Sequence, residues 1–310
     1  MRVIDTLEEI QNPFPGAVVT IGNFDGVHIG HQSLFHEVIA KAESIRGTAI
    51  AITFNPHPAR VIKENSHPPL ITIHEQKVEL IGRSGMDVLI TIPFTREFAL
   101  ITAQSFIRDL LVGIIGMKAV VVGRDYTFGR DREGNIELMK ALSRSLGFEV
   151  IVSGWVMIHN NSSERISSTR IRELVMEGDV GEARKLLGRY YQIRGTVISG
   201  RNRGGRLLGF PTANIKLQDE LCPKSGVYAV MVESRERCYK GVANIGYSPT
   251  FDDHLFTIEV HMIDFSDNIY GEAIKVSFVK RIREEIRFSG INELADQIRR
   301  DITEAKILLE

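Results

Sequence analysis

The residues best suited to chemistry lie near the N-terminus, in the run Thr20-Ile21-Gly22-Asn23-Phe24-Asp25-Gly26-Val27-His28-Ile29-Gly30-His31. An apolar strand-like segment precedes this run, and an amphipathic helical segment follows it. The N–H groups at a helix N-terminus favour an anion, and the helix dipole adds to that preference. Glycines let a phosphate approach the backbone closely, and His28 and His31 add two hydrogen-bond donors. The spacing therefore predicts a phosphate-binding loop.

Two other interpretations of this histidine pair stay open. His28 and His31 are either ordinary surface histidines or half of a metal site with His-x-x-His spacing. No convincing further metal ligands follow them in the sequence, so phosphate binding is the interpretation that we favour.

A second run with chemical potential lies in the C-terminal part, Gly204-Gly205-Arg206-Leu207-Leu208-Gly209-Phe210-Pro211-Thr212-Ala213-Asn214. Its flexible glycines let main-chain amides wrap a nucleotide. Arg201, Arg203 and Arg206 either add positive charge to that site or form a solvated basic loop. Strand alternation puts Thr212 and Asn214 on one face, and their oxygens are ligands that magnesium prefers. The chain has no Walker-type P-loop, so a nucleotide would be held here in a different way.

The first part of the chain alternates between strand and helix patterns. β-rich runs occur at residues 17–21, 49–54, 88–92, 119–122 and 150–152, and helical patterns such as 103–115 and 133–146 lie between them. This alternation predicts an α/β fold, a doubly wound, Rossmann-like parallel sheet with helices on both faces. Ligands of such sheets bind beyond the carboxyl ends of the strands. The histidine run, residues 55–58 and residues 125–129 all fall there.

The pattern changes after a helical stretch at residues 169–187. Strand-like runs follow without intervening helices, at residues 193–198, 227–232, 239–243, 256–263 and 274–278. They predict an antiparallel β-barrel. A terminal amphipathic helix places Ile291, Leu294, Ile298 and Ile302 on one face, with residues 299–301 largely opposite. We place the domain boundary so that the two domains are residues 1–187 and 188–310.

Composition excludes several classes of protein. The 310 residues suit two domains of ordinary size better than one. A net charge of −1 argues against a strongly basic nucleic-acid binder. Cys222 and Cys238 are too few for a disulfide framework, so we expect free thiols. The first residues have no apolar signal core, and no apolar run approaches the roughly 20 residues of a membrane span. We therefore expect a cytoplasmic protein.

The motifs of both halves resemble one known family. Residues 28–31 are similar to the His-x-Gly-His nucleotidyltransferases, which attack the α-phosphorus of a nucleoside triphosphate and release pyrophosphate. The longer string over residues 22–31 resembles the adenylyltransferase half of the bacterial bifunctional riboflavin kinase/FMN adenylyltransferases, also called FAD synthetases. The run over residues 204–214 resembles the riboflavin kinase signature of the same family, so the two motif sets occur in the expected order.

The resemblance implies an adenylyltransferase site in the N-terminal domain. His28 and His31 would be catalytic and would meet the charge that develops at the α-phosphorus. The residues implied to bind the ATP phosphates are Gly22, Asp25, Gly26, Gly30, Arg165, Ser168 and Thr169. Ser168 and Thr169 lie in a family-like segment over residues 166–172, and the alternative for them is an ordinary helix cap. For Arg165 the alternative is a solvated side chain.

Two further turns resemble the family's flavin- or nucleotide-binding segments. Asn55 and His57 lie in a Phe-x-Pro-His-Pro turn, whose prolines fix the backbone and aim His57 into the cleft. Asn55 occupies the variable position of that turn. Asp125 lies in a Gly-x-Asp-aromatic-x-Phe-Gly pattern at a strand end, and an ordinary turn is the alternative there.

The resemblance also implies a kinase site in the C-terminal domain. Gly204, Gly205 and Arg206 would bind ATP, and Thr212 and Asn214 would bind Mg²⁺. Glu259 matches the family's general base, which accepts the proton of a ribityl hydroxyl. The alternative for Glu259 is a solvated carboxylate on the face of a strand.

Two successive reactions follow from the resemblance. ATP with Mg²⁺ would phosphorylate riboflavin to FMN, and a second ATP would adenylylate FMN to FAD with release of pyrophosphate. We expect the small molecules riboflavin, FMN and ATP as partners, no nucleic acid or membrane, and a monomer or weak homo-oligomer. The alternatives are an enzyme with one of the two activities and a flavin-sensing regulatory protein.

Overall fold

Short apolar runs in the first part of the chain form six parallel strands. The computed structural model describes residues 1–63, 67–158, 164–198, 209–217, 220–247 and 256–310, and it divides into two units, Met1–Ser167 and Ser168–Glu310. The strands of the first unit are β1 (Arg2–Ile4), β2 (Ala17–Ile21), β3 (Ala49–Asn55), β4 (Val88–Pro93), β5 (Met117–Gly123) and β6 (Glu149–Ser153). They lie in the order β1-β4-β3-β2-β5-β6, and each pair is parallel.

Helices cover both faces of this sheet. They are α1 (Ile29–Ser44), α2 (Pro58–Ile62), α3 (His74–Arg83), α4 (Arg96–Ala99), α5 (Ala103–Ser105), which continues as a π-helix over Phe106–Ile114, and α6 (Ile136–Leu146). Successive strand residues face opposite cores: Val18 packs with Phe35 and Val38 of α1, whereas Val19 packs in the other core with Phe106 of the π-helix. The predicted doubly wound sheet is confirmed.

The strand order creates a crevice beside β2. From β2 the chain moves outward through β3 to β4 and then returns to place β5 on the other side of β2. The loops that leave the carboxyl ends of β2 and β5 therefore diverge, and such a point is where open α/β sheets bind ligands. The histidine run follows β2, and Asp125 follows β5.

In its described residues, the second unit contains a closed antiparallel barrel and three helices. Its strands are β7 (Tyr191–Ile198), β8 (Ala213–Leu217), β9 (Gly226–Ser234), β10 (Arg237–Tyr247), β11 (Phe256–Met262) and β12 (Ala273–Arg283), in the order β10-β11-β8-β7-β12-β9. Tyr191, Tyr228 and Phe278 are buried and contact one another through their rings. The helices are α7 (Ser168–Glu177), α8 (Val180–Leu187) and the terminal α9 (Ile291–Leu308). The predicted barrel and terminal helix are confirmed.

The structure corrects two details of the predicted helices. The stretch at residues 169–187 is not one helix, because Gly178 has a φ of +85° and Asp179 caps α8 with its side chain. On α9, Ile291 is 67% exposed, whereas Asp301, expected on the outer face, is 3% exposed. Asp301 is buried because its carboxylate pairs with Arg283 of β12, with a shortest nitrogen–oxygen distance of 2.7 Å.

The predicted division into residues 1–187 and 188–310 stays a prediction. The compact units meet at residue 167, so α7 and α8 belong to the second unit. Over the ranges that the structure covers, none of the helices is both long and apolar enough to cross a membrane.

Candidate functional site

The histidine run forms a tight loop that ends in the first turn of α1. His28 is the N-cap of this helix, and its Nδ1 accepts a hydrogen bond from the amide of His31 at 3.3 Å. An accepting Nδ1 carries no proton, so the proton of the neutral ring is on Nε2, which can donate to an anion. The two rings are stacked, with centroids 3.6 Å apart and planes 17° apart. Phe24 packs edge-on against His31 at 5.3 Å and holds its ring in place.

The N-terminus of α1 supplies amides to the same place. The first amides of a helix have no intrahelical acceptor, and here they belong to Ile29 and Gly30. A Cβ at residue 30 would lie 3.1 Å from the ring of His28 and 3.9 Å from the carbonyl oxygen of Ile166. Gly30 therefore permits the close approach of the His28 ring to the helix. The sequence did not single out the amide of Ile29 as a donor, because its side chain gives no such signal and only the backbone geometry shows that it begins the helix.

The polar groups of three other predicted phosphate-binding residues already form hydrogen bonds within the protein. The amide of Gly22 donates to the carbonyl of Ile52 at 3.0 Å, and the amide of Gly26 donates to Oγ1 of Thr72 at 3.0 Å. Asp25 is 2% exposed and accepts hydrogen bonds from residues 71 and 72. The geometry therefore favours a structural role for this part of the loop.

Arg165 and Asp125 lie together in the first unit. Nη1 of Arg165 is 2.6 Å from Oδ2 of Asp125, and both side chains are exposed. The guanidinium also lies 5.0 Å from the ring centre of Trp155. An exposed ion pair of this kind contributes little to stability. The pair therefore leaves a cationic side chain available beside an exposed aromatic ring. Trp155 was not predicted, although it is the single tryptophan of the chain and follows β6 closely.

The remaining predicted residues of this half lie on separate elements. Asn55 ends β3, and His57 caps α2 by accepting the amide of Ala59 on Nδ1 at 3.1 Å. Because β3 neighbours β2, this turn leaves the sheet at the same edge as the histidine loop. Ser168 and Thr169 open α7 in the second unit, and their contribution to the site stays a prediction.

The predicted kinase residues meet across two neighbouring strands of the barrel. Asn214 of β8 is directly opposite Glu259 of β11, and Thr212 donates a long hydrogen bond of 3.5 Å to Oε2 of Glu259. His261 contacts the carbonyl oxygen of Pro211 through Nδ1 at 2.9 Å, which ties the segment before β8 to β11. The predicted ATP-binding residues Gly204, Gly205 and Arg206 lie outside the described residues.

Burial changes the acidity of Glu259. The side chain is half-buried, and burial raises the pKa of its carboxyl group, while the hydrogen bond from Thr212 acts in the opposite direction. A carboxylate with a raised pKa is a stronger base. Its position on the same strand pair as two neutral oxygen ligands suits a proton acceptor next to a phosphoryl group.

A magnesium ion fits the oxygens at this place. Thr212 offers a hydroxyl and Asn214 an amide oxygen, and Mg²⁺ binds such hard oxygens together with water and substrate phosphates. Within the described ranges no group of three or more His, Cys, Asp or Glu residues could hold a metal ion. The two histidines of the N-terminal loop therefore do not belong to such a group there.

The segment before α9 has mainly structural contacts. Arg283 pairs with the buried Asp301, donating from Nε at 2.9 Å and from Nη2 at 2.7 Å, and Gln297 donates to the same carboxylate at 2.8 Å. Glu285 lies directly against Gly246 of β10, where a Cβ would have no room. Burial raises the pKa of Glu285, and Arg283 opposes that shift.

Two family models match this chain, one in each half. The FAD synthetase family model matches residues 10–170, and the riboflavin kinase family model matches residues 187–309. A bifunctional riboflavin kinase/FMN adenylyltransferase from Haemophilus influenzae is 37% identical, over 99% of this chain and 98% of that protein. The Bacillus subtilis protein of the same description is 39% identical, over 93% of this chain and 91% of its own length.

A solved structure shares the fold of the whole chain. The crystal structure of a macrolide-efflux protein from Streptococcus pneumoniae is 34% identical, covers 98% of both chains and superposes with a TM-score of 0.86. The match of a family model to each half and the full-length similarity to curated relatives lead to one conclusion. The chain belongs to the family of bifunctional riboflavin kinase/FMN adenylyltransferases.

Proposed function

We propose that this chain makes FAD from riboflavin in two steps, each at its own site. The observation that carries the proposal is the separation of the two catalytic sets. His28 and His31 lie in the first unit, whereas Thr212, Asn214 and Glu259 lie in the second. The contacts around each set suit one reaction, and each half of the chain matches the family model for that reaction.

The first step is the phosphorylation of riboflavin. Glu259 accepts the proton of the terminal ribityl hydroxyl, whose oxygen attacks the γ-phosphorus of ATP. The bond from the γ-phosphorus to the bridging oxygen breaks, and ADP leaves. Thr212 and Asn214 are the residues that hold Mg²⁺, which neutralises phosphate charge when it is bound. Burial supports the role of Glu259, because it raises the pKa of this carboxyl group.

The second step joins FMN to AMP. A phosphate oxygen of FMN attacks the α-phosphorus of ATP, the bond to the β-phosphate breaks, and pyrophosphate leaves. Nε2 of His28 and the amides of Ile29 and Gly30 donate to the phosphate oxygens as charge develops on them. We assign Arg165 to the same phosphates, since its guanidinium is exposed and its ion pair with the exposed Asp125 can be replaced by water at little cost.

Several finer assignments belong to this proposal. Ser168 and Thr169 are assigned to the ATP phosphates, and Asn55, His57 and Asp125 to the flavin or the nucleotide. For Asn55, His57 and Asp125 the support is that the loops after β3 and β5 leave the sheet at the same edge as the histidine loop. For Ser168 and Thr169 the support is the family-like motif over residues 166–172. A cytoplasmic location and a monomer or weak homo-oligomer stay predictions from the sequence.

Position-specific labelling of ATP tests the proposal directly. The full chain is incubated with riboflavin, magnesium and ATP that carries radioactive phosphorus at either the γ or the α position, and the flavins are separated by chromatography. We expect γ-label in both FMN and FAD, and α-label in FAD alone. Absence of α-label from every flavin would leave a kinase only. Absence of both labels would leave either an adenylyltransferase without kinase activity or a flavin-binding protein, and α-labelled ATP with supplied FMN distinguishes these two.

A further inference from the structure

A buried carboxylate joins the histidine loop to the chain 46 residues further on. Asp25 is 2% exposed, and its Oδ1 accepts hydrogen bonds from the amides of Ile71 at 3.0 Å and Thr72 at 3.1 Å and from the Thr72 hydroxyl at 3.3 Å. The Thr72 oxygen in turn accepts the amide of Gly26 at 3.0 Å. One hydroxyl can donate once and accept as well, so these bonds are compatible with one another. We call this set of contacts the Asp25–Thr72 latch.

A buried cation lies close to the carboxylate of the latch. Residues 71–72 lead directly into α3, on which Lys77 is 4% exposed. Burial lowers the pKa of Lys77 to about 8, and the charge of Asp25 opposes that shift. The carboxylate therefore has both amide donors and a nearby ammonium group, which compensates for its removal from water.

The latch holds a backbone conformation that most residues avoid. Gly26 has a φ of +85°, and the flanking Phe24 and Val27 have φ values of +46° and +40°. A positive φ is unfavourable for a β-branched residue such as Val27, so neighbouring contacts must hold it. Ile71 packs against Gly26, where a Cβ would lie 3.1 Å from its Cδ1. His28 follows Val27 directly, so the orientation of its ring depends on this turn.

We propose that Asp25 and Thr72 are positioning residues for adenylyl transfer, and that Asp25 is not a phosphate ligand. This inference depends on the proposed role of His28 and His31. The oxygens of Asp25 are directed at residues 71 and 72, and an ionised carboxylate facing a triphosphate would repel it. The latch acts through the backbone instead: it holds Gly26 and Val27 so that His28 caps α1 through Nδ1.

Amide hydrogen exchange on the full chain tests the latch without any activity. Thr72→Val removes the hydroxyl but keeps the volume, and Thr72→Ser restores the hydroxyl. We expect the Gly26 amide to exchange about tenfold faster in Thr72→Val, as loss of one hydrogen bond implies, and to regain protection in Thr72→Ser. Thr91→Val is the matched control, because Thr91 is 4% exposed and its hydroxyl has no hydrogen-bond partner within the described part of the chain.

Steady-state rates then test the positioning role. With FMN and ATP, Thr72→Val should lower kcat about tenfold to a hundredfold and change the two KM values less, as expected for a displaced catalytic group. Riboflavin phosphorylation on the same chain should stay unchanged. Asp25→Asn should lower kcat in the same way. The double variant should have a kcat no lower than that of the less active single variant, because both changes break one network.

Two results would overturn the inference. One is unchanged protection of the Gly26 amide in Thr72→Val. The other is multiplication of the two losses in the double variant, since a phosphate ligand would act independently of Thr72. A wild-type chain that makes no FAD would refute the proposed function instead, and the exchange data would still decide whether the latch exists.

Discussion

The imidazole rings of His28 and His31 are stacked face to face, with their centroids 3.6 Å apart. The arrangement arises from the first turn of α1, in which the His31 amide donates to Nδ1 of His28. Both rings therefore lie at the first turn of α1, where the amides that begin the helix have no intrahelical acceptor. A single polyanion can meet ring donors, backbone donors and the positive end of the helix dipole at once.

His28→Asn separates the structural role of this histidine from its chemical role. Asparagine is a good N-cap, so the variant keeps the cap of α1 but loses the Nε2 donor. We expect FAD formation from FMN to fall about a hundredfold or more. FMN formation from riboflavin should be unchanged, as measured by chromatography of initial rates. The matched control is His36→Asn, an exposed histidine of α1. A loss in His28→Asn no larger than in His36→Asn would contradict the assignment.

Glu259→Gln removes the proposed base and keeps the size of the side chain. We expect FMN formation from riboflavin to fall about a hundredfold to ten-thousandfold, the range usual for loss of a general base. Supplied FMN should still be adenylylated at the wild-type rate. Glu304→Gln, at an exposed position of α9, is the control. Kinase activity in Glu259→Gln equal to that control would remove Glu259 from the mechanism.

The raised pKa of Glu259 predicts the pH dependence of the kinase step. The base must be ionised, and burial favours its neutral form. As the pH is lowered, kcat should therefore begin to fall at a pH above 4.5, the ordinary pKa of a glutamate. Thr212 lowers this pKa by its hydrogen bond, and Thr212→Val should move the acid limb to still higher pH. An acid limb at or below pH 4.5 in the wild-type chain would disagree with the buried environment of Glu259.

Lys77 predicts how stability depends on pH. The unfolded chain keeps the lysine proton up to about pH 10.5, whereas the folded chain releases it near its pKa of about 8. The unfolded state thus binds more protons in this window, so the free energy of unfolding rises with pH there, by at most roughly 3 kcal/mol. Lys77→Met should abolish the rise.

Urea unfolding at pH values from 7 to 10 measures this effect. Trp155 is the single tryptophan and lies in the first unit, so its fluorescence follows the unit that contains Lys77. Lys140→Met, at an exposed position of α6, is the control and should keep the rise. An identical pH dependence in Lys77→Met and wild type would show that the ammonium group is not buried in solution.

The sequence predicted most elements because their patterns are local. The run at residues 17–21 became β2 with the same bounds, and the helix that follows was placed from its apolar spacing. Strand β1, Arg2–Ile4, was missed because three residues carry no periodicity, and it depends on pairing with β4. The outward prediction for Asp301 was wrong because the periodicity of α9 cannot reveal a buried partner such as Arg283.

The candidate sites show the same limit. Motifs identified His28, Thr212 and Glu259, whose types and spacing suggest their chemistry. They did not reveal that the amides of Gly22 and Gly26 are already used by Ile52 and Thr72, since those acceptors lie about 30 and 46 residues away in the chain. Long-range hydrogen bonds of this kind follow from tertiary structure and leave no local pattern.

The most direct test of two independent sites is a complementation assay with inactive variants. His28→Asn and Glu259→Gln chains are mixed in equal amounts with riboflavin, ATP and magnesium, and FAD is measured. Neither variant alone should make FAD from riboflavin at an appreciable rate. The mixture should make it, because the FMN that one chain releases is adenylylated by the other. A mixture of folded chains that forms no FAD, while wild type does, would contradict the account.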